Sequence, residues 1–361
     1  MKSNYDILGN HIRLIDNRNK DSITDRVLGI NIDKFFMPSV ANVIGTDLSR
    51  YKLITKGRFA CNPMHVGRDE RLPVALYTED EPAIVSPAYF MFEIIDSSIL
   101  NEDYLMMWFR RPEFDRLCWL RTDGSVRGGI TWDDICRMKV PVPRLDEQIE
   151  IVQSYQAITD RIALKKQIND NLEATVQAVL QEKIVENGVE TTVDSIITLF
   201  DNLRRPLSSL DRSGMGKIYP YYGAASLMDY VDDYIFNGIY GLLGEDGTVM
   251  DENGYPTMQY VWGKFWVNNH AHIFQGKNSY STEMAYLILK NTIVRNAVTG
   301  AVQLKINQEN LRNLPIIVPS ADDIPELDNK IQTIFKKIRE NYNEIEHLSK
   351  LEDILLAKIS A

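Results

Sequence analysis

Cysteine is nearly missing from this chain: Cys61, Cys118 and Cys136 are the three present in 361 residues, far apart and forming no CxxC pair. That excludes a zinc ribbon or a disulfide framework and leaves buried or incidental thiols behaving as small hydrophobes. No apolar run approaches the roughly 18 residues of a membrane span. The opening MKSNYDILGN also lacks the apolar core of a signal peptide. The expected compartment is therefore the cytoplasm, with no membrane partner. An excess of positive charge is lacking too. A formal net charge of -10 argues against coating nucleic acid by bulk attraction, yet it permits a local basic face on an otherwise acidic molecule.

What is present is ordinary globular composition, with 44% hydrophobic and 25% charged residues, over a length that suits two domains. The acidity is uneven. Residues 1–144 hold 20 basic and 20 acidic residues, whereas residues 145–190 hold 4 and 9. The halves are related: Gly124 to Pro143 aligns without a gap on Gly300 to Pro319 at a constant offset of 176. Each copy has a glycine turn, a polar stretch containing Ile135 or Leu311, and a short apolar strand with proline at its exit. Upstream, Leu100 to Trp108 and Tyr280 to Ile288 both read as a polar cap and an apolar helix, starting at Asn101 or Ser281.

A long helical stripe follows each repeated strand. The first runs through Leu145, Ile149, Val152, Tyr155, Ile158, Ile162, Ile168, Leu172, Val176 and Val179. The second runs through Leu327, Ile331, Ile334, Ile338, Tyr342, Ile345, Leu348, Leu351 and Leu355. Forty residues of helix would span about 60 Å, more than the width of a small domain. The economical way to bury both stripes is against each other as an antiparallel pair. The expected fold is α+β: two mixed α/β modules (1–144 and 188–321), each followed by a long helix (145–187 and 322–361), with a pseudo-twofold internal repeat. Strands are expected around Val27–Asn31, Phe59–Cys61, Val74–Tyr77 and Tyr89–Ile94, then Ile218–Tyr219, Gly238–Leu243, Lys264–Val267 and His270–Phe274, as a half-open barrel in each module. Val193–Leu203 reads as a short helix and Ser208–Gly216 as a turn.

Particular phrases go further. Leu105 to Asp115 (LMMWFRRPEFD), Val140 to Gln148 (VPVPRLDEQ), Tyr221 to Ala224, Tyr230 to Ile235 and Lys264 to His272 together resemble the specificity subunit of type I restriction-modification systems, over nearly the whole chain. The departure is Ile184 to Gly188, where an aromatic-rich phrase often stands. The resemblance implies two target recognition domains reading a bipartite double-stranded DNA site, with the long helices as a ruler between them. It implies two methyltransferase subunits as partners, which bind S-adenosylmethionine and methylate adenine, and restriction/translocase subunits in the larger complex. This chain is then expected to be non-catalytic and to need no cofactor. A protein-interaction adaptor built on paired helices, with no DNA role, is the alternative.

Signatures of chemistry fall short. Asn62-Pro-Met-His65 lacks the second proline of an amino-methyltransferase loop, and Gly241 to Gly247 lacks the Lys-Ser/Thr end of a P-loop and reads as a turn. His270 and His272 share a strand face but have no third ligand in the sequence nearby, so no metal is expected. DNA contact needs donors to phosphates and bidentate groups for base edges. The candidates are Lys56, Arg58, His65, Arg68, Arg71, Arg121 and Arg127 in the first module, with Lys217, Tyr221, Lys264, Asn268, Asn269, His270 and Lys305 in the second. Arg68 and Arg127 sit beside glycines and are favoured. The helix positions expected to form subunit or spacer interfaces are Leu145, Ile149, Val152, Ile158, Ile162, Leu172, Leu327, Ile331, Ile334, Ile338, Ile345 and Leu348. Trp108, Phe109, Trp262 and Trp266 read as core.

Overall fold

The computed structural model describes residues 5–64, 66–122, 128–300 and 303–359. The chain divides into two compact units, one of residues 1–164 with 345–361 and one of residues 165–344. Each unit takes in a length of both long helices.

In the first unit, β-branched and aromatic runs broken by Asn, Asp and Pro give short strands β1 (Tyr5–Ile7), β2 (Ile12–Leu14), β3 (Val27–Ile30), β4 (Phe36–Pro38), β5 (Lys52–Ile54), β6 (Phe59–Cys61), β7 (Val74–Leu76), β8 (Ala83–Val85), β9 (Phe90–Ile94) and β10 (Lys139–Pro141). The helices are α1 (Val66–Asp69), α2 (Glu102–Arg110), α3 (Pro112–Trp119) and α4 (Trp132–Cys136). The strands form two open four-stranded sheets, β2-β9-β6-β7 and β4-β3-β8-β5, plus an antiparallel ribbon of β1 with β10. The expectation of a half-open barrel gives way to these separate sheets. Phe59 stacks on Phe92 at 5.0 Å between ring centroids, and Phe109 meets both edge-on at 5.9 and 6.1 Å. Helix α2 starts where the Asn101 side chain accepts the Tyr104 N–H, and it buries Tyr104 through Phe109, Trp108 included.

Helix α5 (Leu145–Asn187) leads into the second unit. That unit contains β11 (Val189–Thr192), β12 (Ile197–Leu199), α6 (Ser209–Ser213), β13 (Tyr219–Tyr222), β14 (Leu227–Val231), β15 (Phe236–Gly244), β16 (Met258–Val267) and β17 (Ala271–Gly276). There follow α7 (Thr282–Lys290), β18 (Val298–Thr299), β19 (Lys305–Ile306), α8 (Gln308–Arg312), β20 (Pro315–Val318) and α9 (Ile324–Lys358). Its main sheet has the order β12-β17-β15-β16-β13-β14, with β13 parallel to β16, and again is not closed.

Three local expectations are corrected here. Val193–Leu203 is not one helix, because Ile197–Leu199 pairs with Phe274–Gly276 and leaves a 3-10 turn on either side. Ser208–Gly216 contains α6, nucleated by a capping box in which Ser208 and Asp211 satisfy each other's backbone N–H. Gly241–Gly244 is buried strand, not turn. A Cβ at Gly241 would lie 2.1 Å from the Phe274 ring, so glycine is what lets that ring lie flat on the sheet.

The repeat is deeper than the text of the sequence shows. Each unit begins with a strand paired antiparallel to the apolar Pro-flanked strand, β1 with β10 and β11 with β20. Each continues through a 3-10 turn into a strand that pairs with the last strand before the capped helix, β2 with β9 and β12 with β17. Helices α2 and α7 correspond, as do α4 and α8, and each frame hands over to a long helix. In the first unit a buried residue of α5, Gln148, ties this frame together. Its Oε1 accepts the Asn101 N–H at 2.9 Å and its Nε2 donates to the carbonyls of Ile99 and Pro143, both at 2.8 Å. In the second unit Asp328 of α9 accepts the Ser281 N–H at 3.0 Å.

Within each unit the helix pair runs antiparallel. Val152, Tyr155 and Ile162 are buried, as are Leu327, Ile331, Ile338 and Ile345. Leu145, Ile158, Leu172, Ile334 and Leu348 are half-buried. Ile149 is a correction: it is 39% exposed, because the neighbouring Gln148 occupies the inward position. Likewise Val179 faces out and Leu180 is fully buried. The seam also holds a polar layer. Asn341 Nδ2 donates to Asn169 Oδ1 at 2.7 Å, and Lys165 Nζ reaches Asn341 Oδ1 at 3.0 Å and Glu344 at 2.8 Å.

Candidate nucleic-acid interface

In the first unit the described candidate cations lie outside the strands, Arg68 on α1 and the others in connecting segments, and carboxylates accompany most of them. Lys56 Nζ is 2.7 Å from Asp80, Arg58 is 3.6 Å from Glu93, Arg68 is 2.6 Å from Asp69 and Arg71 is 3.0 Å from Asp33. Arg121 donates to the Leu117 carbonyl at 3.2 Å. His65 and Arg127 lie outside the described residues. The segment carrying Arg68 is joined to the repeated segment: Gly67 N–H donates to Gly128 O at 3.0 Å and Ile130 N–H to Pro63 O at 3.1 Å.

Arg71 also borders a cavity of about 640 Å³ lined by Lys34, Asp69, Arg110, Asp115, Arg116 and Trp119 among others. Its wall is built on Lys34, a residue at φ +69° whose Nζ is buried against Asp115 at 2.7 Å and the Phe109 carbonyl at 2.5 Å. Burial pushes the Lys34 ammonium down from its ordinary value, opposed by the Asp115 charge. Lys34 and Asp115 were not legible as a pair, since 80 intervening residues separate them and Lys34 lies in no motif.

In the second unit the candidates fall into two groups. Lys264, exposed on β16, has its Nζ 4.6 Å from the Tyr234 ring centroid and 5.9 Å from that of Tyr219, and the two rings meet edge-on at 5.1 Å. Lys217 lies just before β13 and is 2.9 Å from Asp229 of β14. The Lys217 hydrogen bond is the largest influence lowering the Asp229 carboxyl, to about 2. The other group gathers at the far end of β16. His270 Nδ1 is 2.5 Å from Asp246, Lys305 is 3.2 Å from Glu245, and the Asn269 carbonyl accepts from Arg204.

Two candidates are corrected. Tyr221 is 1% exposed, its ring under the Arg212 guanidinium and its hydroxyl bonded to the Leu207 backbone. Asn268 is 4% exposed, its Oδ1 accepting the His270 N–H at 2.8 Å. Neither side chain presents its polar atoms to a duplex. Strand register turns Tyr221 of β13 inward, and Asn268, in the turn after β16, is folded in by its bonds to the His270 N–H and the Tyr222 carbonyl, neither of which the residue types reveal.

His272 also points inward, and with Asp201 and Glu245 it forms the group among the described residues whose ligand atoms all lie within 4.8 Å of one another. The spacing would suit a metal, but the donors are already engaged. Asp201 Oδ2 lies 2.6 Å from His272 Nδ1 and accepts from Gln308 Nε2 at 2.6 Å, and Oδ1 accepts the Ile273 N–H at 2.9 Å. Glu245 accepts from Arg204 at 2.6 Å, and His272 Nε2 faces the Ile306 carbonyl at 2.8 Å. Burial opposes the charge on Asp201, but the His272 contact, the Ile273 N–H and Arg204 outweigh it and hold the carboxyl below its ordinary value. The cluster is a satisfied polar hub joining β17, β19, α8 and the turn at 201–203.

Two repeated frames, each carrying its own sheets and exposed cations and each handing over to a long helix, define an α+β protein with an internal repeat. The type I restriction modification DNA specificity domain matches residues 189–356. A type I restriction enzyme specificity subunit of Haemophilus influenzae is 36% identical over 141 residues, 38% of this chain and 35% of the relative, so the match spans about a third of that curated relative's length. The crystal structure of the S subunit of a type I restriction-modification system from M. genitalium superposes with a TM-score of 0.56 at 14% identity, covering 98% of this chain and 95% of that one, a likeness of fold. Residues 189–356 thus resemble the type I restriction modification DNA specificity domain, and the chain as a whole shares the fold of that S subunit. Among the described residues no helix is long and apolar enough to cross a membrane.

Proposed function

We propose that this chain is the non-catalytic subunit that reads a bipartite double-stranded DNA site, one half with each module, and on which two adenine methyltransferase subunits and the restriction/translocase subunits assemble. The observation that carries this reading is a common frame with unlike inserts. The ribbon, capped helix and long helix recur in both units, while the strands between them differ: two four-stranded sheets in one and one six-stranded sheet in the other. A scaffold that keeps its attachment parts and varies its exposed sheets suits two different readouts by one assembly. Lys217 and Lys264, beside Tyr219 and Tyr234, are phosphate-contacting groups in this reading, and Arg68 serves the first module. The pair of helices fixes the spacer between half-sites.

The test is adenine-methylation mapping on a plasmid library, with the chain co-expressed with its methyltransferase subunit and a control lacking the chain. A split motif that appears only with the chain is the expected result. A complex that forms but methylates no chain-dependent motif would overturn the reading in favour of an adaptor.

A further inference from the structure

Each module is fastened to its own stretch of the helix pair by an Arg–Tyr–Glu chain of hydrogen bonds. In the first unit Arg110, the last residue of α2, donates to the Tyr155 hydroxyl on α5 at 3.1 Å, and that hydroxyl donates to Glu352 of α9 at 2.8 Å. In the second unit Arg339 of α9 donates to the Tyr260 hydroxyl on β16 and to Glu283 of α7 at 2.8 Å, and Tyr260 donates to Glu283 at 3.0 Å. The two chains are not copies of one repeat position. The module supplies the cation in one unit and the tyrosine and glutamate in the other. In both, the tyrosine ring is packed: Tyr155 is 4% exposed, and Tyr260 meets Phe335 at 4.8 Å and Tyr286 at 5.5 Å. The hydroxyl therefore adds direction to a contact that packing alone would hold together.

We propose that Tyr155 and Tyr260 are positioning residues that fix the angle of each module on the helix pair, and so set how strictly the complex demands one spacer length, without touching DNA. This rests on the DNA-reading function above. A tilt of about 10° at a lever of roughly 20 Å moves a bound half-site by about 3.4 Å, the rise of one base pair. Small angular play thus becomes tolerance for a neighbouring spacer.

Tyr155→Phe and Tyr260→Phe keep the rings and remove only the hydroxyls. Each variant is co-expressed with the methyltransferase subunit and mapped on a library holding both half-sites with spacers one base pair shorter, equal and one longer. The expected result is unchanged half-site letters, with methylation at the off-length spacers raised about fivefold relative to the parent spacer, the factor carried by one net hydrogen bond. Glu352→Gln, which keeps an acceptor for Tyr155, is expected to leave the profile near that of the parent chain. Melting curves confirm folding of all three. A spacer profile identical to the parent's, or altered half-site letters, overturns the positioning role. Absence of any split motif with the parent chain overturns the DNA-reading function itself, and the two failures are read from different lanes of one experiment.

Discussion

The polar layer in the helix seam gives the sharpest energetic expectation. Asn169 and Asn341 are 3% and 1% exposed in an otherwise apolar contact, and the 2.7 Å bond between their side chains is the main satisfaction each amide has across the pair. Asn169 Nδ2 reaches the Ile338 carbonyl only at 3.4 Å. Asn169→Leu leaves the Asn341 amide buried without its acceptor, at a cost of about 1–3 kcal/mol. Asn341→Leu strands Asn169 in the same way and also deprives Lys165 of one contact, although Glu344 still holds that ammonium at 2.8 Å. The double replacement removes both buried amides and completes the apolar stripe, so it is expected to be near neutral or more stable than the parent. The coupling in a double-mutant cycle is then at least about 2 kcal/mol, with the double variant better than the sum of the singles. Urea unfolding followed by circular dichroism at 222 nm measures it. Additivity within about 0.5 kcal/mol would refute the reasoning. The layer's second expected effect is on register, because an apolar seam slides by a turn at lower cost than one that must strand two amides.

Three further outcomes follow from named contacts. Lys34→Met leaves Asp115 with the Leu72 N–H at 3.0 Å and no cation, and breaking that buried pair is expected to cost about 3–5 kcal/mol in urea unfolding. Asp201 is held below its ordinary value in the folded chain, so its contribution is present above the unfolded carboxyl range near pH 4 and is lost as pH falls through the folded value. Asp201→Asn should destabilise at neutral pH, where His272 loses the carboxylate at 2.6 Å while Arg204 keeps Glu245, and should flatten the acid limb of a stability-versus-pH curve; an unchanged acid limb counts against the hub. Gln177 carries both amide atoms buried without a hydrogen-bond partner, so Gln177→Leu is expected to stabilise by about 1 kcal/mol, read as a raised melting temperature.

The fold was legible where a pattern repeats within a short window. Heptad-like spacing and the absence of internal glycine announce two long helices. Asn101 and Ser281 announce the starts of α2 and α7 by the chemistry of capping, and the 176-residue offset announces the repeated frame. Legibility ended where the deciding contact is long-range. Inward-facing Tyr221 and His272 are set by the register of β13 and β17, and Asn268 by the turn after β16, and their types are equally at home on a surface. The stripe misplaces Ile149 and Val179 because a 3.5-residue period drifts from a 3.6-residue helix, so that Gln148 and Leu180 take the inward places. Asn169 and Asn341, buried in the seam, were not singled out, because nothing within one helix tells a seam amide from a solvated one.

The candidate DNA surface has a property that its residue types alone do not disclose: most of its cations arrive already neutralised. Asp80, Glu93, Asp69 and Asp33 stand at Lys56, Arg58, Arg68 and Arg71, Asp229 stands at Lys217, and Glu245 stands at Lys305. A phosphate that engages such a cation displaces a carboxylate, so part of the electrostatic gain offsets a lost ion pair, and the acidic neighbours repel duplexes that make no other contact. A chain of net charge -10 built this way is expected to hold random DNA weakly and to depend on base contacts for affinity. Asp229 tests the idea, because its carboxyl, at about 2, is ionised at every working pH and shares Lys217 with the carbonyls of Arg212 and Tyr230. Asp229→Asn keeps the shape and removes the charge. It should raise affinity for random and specific duplexes by a similar factor, about 3- to 10-fold at low salt, and steepen the salt dependence by up to about one unit of slope. Titration of both duplexes with the assembled methyltransferase complex across a salt series measures this. A gain confined to the specific duplex would make Asp229 a base-reading residue, and no gain on either would remove Lys217 from the DNA-facing surface.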